Sequence, residues 1–257
     1  MHPFGYDDKI ELFKKLIEKD DLAHAYLFYG EPEIGKFTFA SFLAAFLENA
    51  DPSDGRPLID ALVVRPENGG TLGIDEVLKI QEFLYQRPLI SPRRTAIVDD
   101  AASLTREAQG ALLKIVEEPP RSSLIIFLST DQRDLFDALL SRVEKIYFPN
   151  LSAAAIQEGL QKNYQVDEAK ARKIAAASFG RFGRAVAAIE KRPKLEEEES
   201  LLDEVSNEIA RLAEDGVVKN RKLLSWLLER QVFIKRYKRY NLNMKLQKKV
   251  IDAVLKK

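Results

Sequence analysis

Ala25-Tyr26-Leu27-Phe28-Tyr29-Gly30-Glu31-Pro32-Glu33-Ile34-Gly35-Lys36 is the stretch on which the fold turns. An apolar run of strand-forming residues stops at Gly30, and Gly35-Lys36 opens a helical pattern over residues 37–47. A strand, a loop of Gly-x4-Gly-Lys spelling and a helix together describe a phosphate cradle. In such a cradle, backbone N–H groups and the positive end of the helix face an anion. Gly35 lets the main chain approach it, and Lys36 adds a point charge. The spelling alone also fits a plain strand-to-helix turn, and it is the strand before it that favours the cradle.

The cradle departs from a working one. Where a Ser or Thr hydroxyl should follow the lysine and hold magnesium, Phe37 stands. Thr38 is the nearest hydroxyl, but one helical step turns a side chain by about 100°. Glu31 and Glu33 also carry carboxylates towards the place of a polyanion. Further on, Ile97-Val98-Asp99-Asp100 ends a second apolar run. Asp99 fits the acid that holds magnesium at a strand's end, and Asp100 the group that orients water. Asp100 is one methylene shorter than the Glu usual there. The candidate nucleotide site is thus Gly30, Gly35, Lys36, Thr38, Asp99 and Asp100, degenerate for ATP and magnesium. It is expected to keep binding better than hydrolysis, so intrinsic ATPase activity is not expected of this chain.

Outward from this loop, short apolar runs rich in strand formers recur at residues 61–64, 95–98, 124–128 and 145–148. Between them, residues 74–84 and 105–116 have helical spacing. Strand-helix alternation implies a five-stranded parallel sheet with helices on both faces, an α/β domain over residues 1–150. After Pro149-Asn150 the pattern changes to three helices at about 152–163, 166–178 and 182–190, a second part over residues 151–193. Arg192-Pro193 and the acidic run Glu196 to Glu199 mark another seam. Apolar stripes through Leu201, Leu202, Val205, Ile209 and Leu212, then Leu223, Leu224, Leu227 and Leu228, predict a helical third part over residues 194–257.

The bulk composition excludes several chemistries. Of the 257 residues, 46% are hydrophobic, enough for a large core with smaller helical units beside it. Forty basic residues balance forty acidic ones, so only a local patch could attract nucleic acid or membrane. The absence of cysteine removes disulfides, thiolate zinc sites and a cysteine nucleophile. His2 and His24 lie far apart, in no metal-binding pattern, and no metal site is expected. No apolar run approaches a membrane span, and Met1 to Asp8 has neither a basic start nor an apolar signal core. A cytoplasmic location without membrane contact is the expectation.

An ordered set of segments resembles the bacterial clamp-loader family of DNA polymerase III. It runs from His24-Ala25-Tyr26-Leu27-Phe28-Tyr29-Gly30 to Leu72-Gly73-Ile74-Asp75-Glu76-Val77, then Asp100-Ala101-Ala102-Ser103-Leu104-Thr105. Ala111-Leu112-Leu113-Lys114 through Glu117-Glu118-Pro119-Pro120 and Leu140-Ser141-Arg142 complete it. The likeness spans roughly residues 20–190. Arg65-Pro66-Glu67 ahead of Leu72-Gly73-Ile74-Asp75 looks more like the delta-prime subunit than the ATP-hydrolysing gamma or tau subunit, and the degenerate loop agrees.

The resemblance implies an AAA+ P-loop fold, a helical lid and a helical collar in a five-membered ring. It implies as partners gamma or tau, delta, the sliding clamp and, through the assembled ring, primer-template DNA. It also implies that Arg142 reaches in trans into a neighbouring subunit's ATP site. Val143 stands where the family's motif has Cys, which leaves the charged element in place. Thr130 resembles the sensor-1 position and Arg184 the sensor-2 arginine. The family's four-cysteine zinc module has no counterpart in residues 50–58, so no zinc is expected, and the collar is shorter than usual.

Two other readings stand beside this one. A gamma/tau-type motor would need Lys36, Asp99 and a metal-holding hydroxyl together, which Phe37 opposes. A stand-alone DNA-binding protein would use Lys235, Arg236, Lys238, Arg239, Lys245, Lys248 and Lys249, although a solvated helix face explains that tail as well.

Overall fold

Five parallel strands form one sheet in the order β2-β3-β4-β1-β5. The strands are β1 (Ala25–Tyr29), β2 (Ala61–Val64), β3 (Arg94–Asp99), β4 (Ser123–Ser129) and β5 (Glu144–Tyr147). The computed structural model describes residues 2–51, 57–67 and 70–189. The expected third part, with its acidic run, apolar stripes and basic tail, lies outside the described residues.

The inner strands β1, β3 and β4 are buried on both faces, which is why they read as nearly continuous apolar runs, whereas the edge strands β2 and β5 are partly exposed. Because successive side chains alternate, each central strand feeds two cores. Leu27, Ala96, Val98, Ile125 and Phe127 face one, where they meet α3 (Ile74–Tyr85) and α4 (Arg106–Glu117). Tyr26, Phe28, Ile97, Leu124, Ile126 and Leu128 face the other, against α1 (Asp7–Glu18) and α2 (Lys36–Leu47). The second core is aromatic: Phe28 packs edge-on to Phe13 and Phe39, with ring centres 5.7 Å apart in both pairs. Each such buried ring contributes on the order of 2 kcal/mol.

The expected α/β layering is therefore present, with small shifts at element ends. The helix expected over residues 105–116 starts one residue later because the Thr105 hydroxyl accepts from the Ala108 N–H and caps it. Helix α1 was not anticipated, although Ile10, Phe13 and Ile17 repeat at helical spacing and Asp7 and Asp8 supply an acidic first turn. A short α5 (Asp137–Leu140) precedes β5. After β5 come α6 (Ala153–Tyr164) and α7 (Glu168–Ser178), and residues 182–189 are helical as well. No strand follows β5 among the described residues.

The chain divides into two compact units, Met1–Val186 and Ala187–Lys257, and every site residue below lies in the first. Within that unit the N-terminal segment ties the sheet to the helices that follow it. Phe4 stacks on Phe182 with centres 4.8 Å apart, and a Cβ on Gly159 would fall 2.7 Å from both rings. β1 is first in sequence among the strands yet lies inside the sheet, between β4 and the edge strand β5. The crevice at the carboxyl ends of such strands is where an open α/β sheet places a ligand.

Candidate functional site: a phosphate loop with an internal cation

The loop after β1 is shaped by contacts that only certain residues allow. Gly30 has φ +145°, and a Cβ there would lie 2.3 Å from the Phe148 carbonyl oxygen, so β5's continuation excludes any side chain. Gly35 turns the chain into α2 with φ +107°. The Tyr6 hydroxyl lies 3.1 Å from the carbonyl oxygens of both Ile34 and Pro149, and burial holds its pKa well above the usual range for tyrosine. From the other side, the Gly183 N–H donates to the Glu33 carbonyl at 2.7 Å, and Arg181 pairs with Glu31 at 2.9 Å.

Lys36 is buried and turned back on the loop, donating from Nζ to the carbonyls of Gly30 and Glu31 at 2.7 Å each. Burial lowers its pKa to about 8, against the opposing pull of Asp99 and Glu31. Phe37 begins the exposed side of α2, and its ring carries the Arg65 guanidinium with 4.7 Å between guanidinium carbon and ring centre. Arg65 Nη2 also lies 3.2 Å from Asp99 Oδ2. Burial raises the Asp99 pKa and Asp100 adds to that, while Arg65 and Lys36 pull it down. Asp100 sits in a left-handed conformation with φ +75° at the sheet edge.

These groups border a cavity of about 510 Å³ lined by Gly35, Lys36, Phe37, Thr38, Asp99 and Asp100, with Ser129 and Thr130 from the end of β4. Thr130 lies 3.5 Å from Asp134 Oδ2, and the Ser129 hydroxyl donates to the same carboxylate. Six sequence-predicted positions plus Thr130 thus converge: Gly30 shapes the loop and the others face the space. Arg184 does not join them. It is exposed over the Phe179 ring, 5.6 Å from its centre, while Arg181, three residues earlier, reaches the loop.

The donor set fits the two implied groups unequally. A phosphate finds a helix N-terminus, two glycines and a lysine. Magnesium finds an apolar ring where a hydroxyl ligand is required, and Asp99 already paired with a guanidinium. Among the described residues no group of three or more His, Asp or Glu could hold a metal ion. Magnesium therefore does not fit this site as built.

Arg142 belongs to a different corner. It follows α5 with its side chain 40% exposed, Nη2 2.8 Å from Glu117 Oε1 and Nη1 donating to the Ala138 carbonyl at 2.8 Å. The neighbouring Val143 is buried in the core formed with α3 and α4, which anchors the corner.

A family profile for the DNA polymerase III delta subunit matches residues 5–152, more than half of the chain. The chain belongs to the DNA polymerase III delta-subunit family. This bears out the clamp-loader resemblance of its motifs. Two relatives of this family member illustrate the range of similarity. The delta-prime subunit of Bacillus subtilis is 30% identical over 166 residues, covering 59% of this chain and 50% of the relative. The gamma/tau subunit of Mycoplasma genitalium is 26% identical over 215 residues, covering 79% of this chain and 35% of the relative. The chain thus spans half or less of the length of these curated relatives. In structure, the family member resembles a DNA polymerase III gamma-subunit-related protein of Thermotoga maritima, with a TM-score of 0.51 and 20% identity over 94% of this chain and 97% of that one. It also resembles the RuvB Holliday junction branch migration motor of the same organism, with a TM-score of 0.54 and 18% identity over 70% of this chain and 58% of that one. These structural likenesses show that the chain shares its α/β fold with those two proteins.

In this family member, sequence reasoning missed Tyr6, Arg181 and the role of Arg65. Arg65 had a signal. It follows β2 at the same offset at which Asp99 ends β3, and parallel pairing of the two strands sets them side by side.

Proposed function

We propose that the chain is a delta-prime-like subunit of the DNA polymerase III clamp loader, a cytoplasmic protein that supports ATP-dependent loading of the sliding clamp. It turns over little nucleotide itself and lends Arg142 to a neighbouring subunit's ATP site. The observation that carries this reading is the replacement of the metal-holding hydroxyl by Phe37 in an otherwise preserved loop. A loop without that ligand keeps a place for phosphate and loses the means to position a metal.

Arg142 is on the surface, follows a short helix and is held by Glu117, the Ala138 carbonyl and the Ser141 hydroxyl, contacts that solvent can replace, so its guanidinium can be offered across an interface. There it would stabilise charge that develops on a transferred phosphoryl group, a task that Val143 in place of Cys does not touch. The partners of this reading are gamma or tau, delta, the clamp and, through the ring, primer-template DNA.

The test is Arg142→Ala in a loader reconstituted from all its subunits. Assembly should be unchanged, and turnover at the one site that this arginine faces should fall about a thousandfold. Unchanged turnover removes the trans role. The second reading, a gamma/tau-type ATPase, is favoured by the longer match to gamma/tau relatives. Magnesium-dependent ATP turnover by the isolated chain would select it.

A further inference from the structure

The place beside Asp99 that a divalent cation takes in a working phosphate loop is filled by the chain itself. β2 and β3 pair in parallel with Val64 opposite Val98, so the residues that follow, Arg65 and Asp99, leave the sheet side by side. Their ion pair is 3.2 Å long, and the same guanidinium lies on the Phe37 ring at 4.7 Å. The two protein groups that a magnesium ion needs here are the hydroxyl after the lysine and the strand-end acid. One has become an aromatic face that attracts a cation, and the other accepts from that cation.

We propose that Arg65 is a built-in counter-ion that replaces the divalent metal at Asp99, with Phe37 as its platform, and so makes the cavity indifferent to magnesium. The half-buried Asp99 carboxylate needs a positive neighbour, since burial works against its charge. A planar guanidinium, weakly hydrated and able to stack, supplies it at lower desolvation cost than a hydrated dication. Magnesium demands near-octahedral oxygen ligands at about 2.0–2.1 Å. To enter, the ion would have to expel Arg65 and would still meet carbon at Phe37. This inference goes beyond the proposed function and does not depend on Arg142: it concerns only this chain's own cavity and is measured without partner subunits.

Calorimetric titration of the full chain with ATP, in excess magnesium and separately in EDTA, tests it. The apparent affinities should differ by less than about threefold, including the case of no binding in either condition. A larger gain in magnesium overturns the proposal. The double variant Phe37→Thr/Arg65→Ala should acquire metal dependence, read as ATP-dependent uptake of Mn2+ by electron paramagnetic resonance. A double variant that keeps the wild-type circular dichroism yet takes up no Mn2+ with ATP also overturns it. Should that variant not fold, the wild-type comparison still decides.

Discussion

The phosphate loop and the Ser141-Arg142 corner use cations in opposite ways. In the loop, Lys36 is buried against its own main chain, and Arg65 and Arg181 are spent on Asp99 and Glu31. At the corner, Arg142 is exposed and held by contacts that solvent can replace. The difference is one of commitment: Lys36 is buried in the fold and Arg65, though as exposed as Arg142, is held between Asp99 and the Phe37 ring, whereas the corner's charge can be transferred to another molecule at small expense. Substitutions in the first region should therefore cost stability, and substitutions in the second should cost only function.

Gly30→Ala should show the largest effect. A methyl group 2.3 Å from a main-chain oxygen, at φ +145°, should lower unfolding free energy by about 2–4 kcal/mol, measured by urea denaturation. A loss below about 0.5 kcal/mol would mean that the loop is free to move away from Phe148.

Lys36 sharpens the comparison through pH. Its pKa is lowered by burial to about 8 in the folded chain, from 10.5 as the ordinary value, so between these limits the unfolded chain holds more protons. Stability should consequently rise with pH through that window in the wild type relative to Lys36→Met. Parallel stability curves for the two proteins would show that the lysine is not buried as described.

Arg65→Ala and Asp99→Asn should each cost about 1 kcal/mol, because the pair is partly exposed and screened. The double substitution should cost clearly less than the sum, since one shared contact is lost only once. Strict additivity would dissolve the ion pair. At the corner, Arg142→Ala and Glu117→Ala should change thermal unfolding by no more than about 0.5 kcal/mol. A larger loss at Arg142 would mean that the corner is structural and would remove the contrast.

Much of this molecule was legible beforehand. The expected strands 25–29 and 61–64 match the observed β1 and β2, and the other three differ by a residue or so at their ends. Burial on both faces leaves a strong signal in apolar residues. Gly30, Gly35 and Lys36 were readable because such a loop is local in sequence, from one strand end to the next helix start, and Asp99 because it ends an apolar run. Arg65 was not, because its partner lies 34 positions away and is brought beside it only by strand register. The placement of Arg184 over Phe179, with Arg181 at the loop instead, depends likewise on how the helices after β5 meet the loop.

The sequence by itself determined the α/β layering, the phosphate-loop spelling and the loss of its metal-holding hydroxyl, since these depend on residue type and short spacing. Only the tertiary structure decided that Phe37, Arg65 and Asp99 form one unit, that Lys36 is turned onto its own loop, and that Arg142 remains accessible. Those outcomes depend on which distant side chains the folded sheet brings within reach of one another, and on how much water it leaves between them.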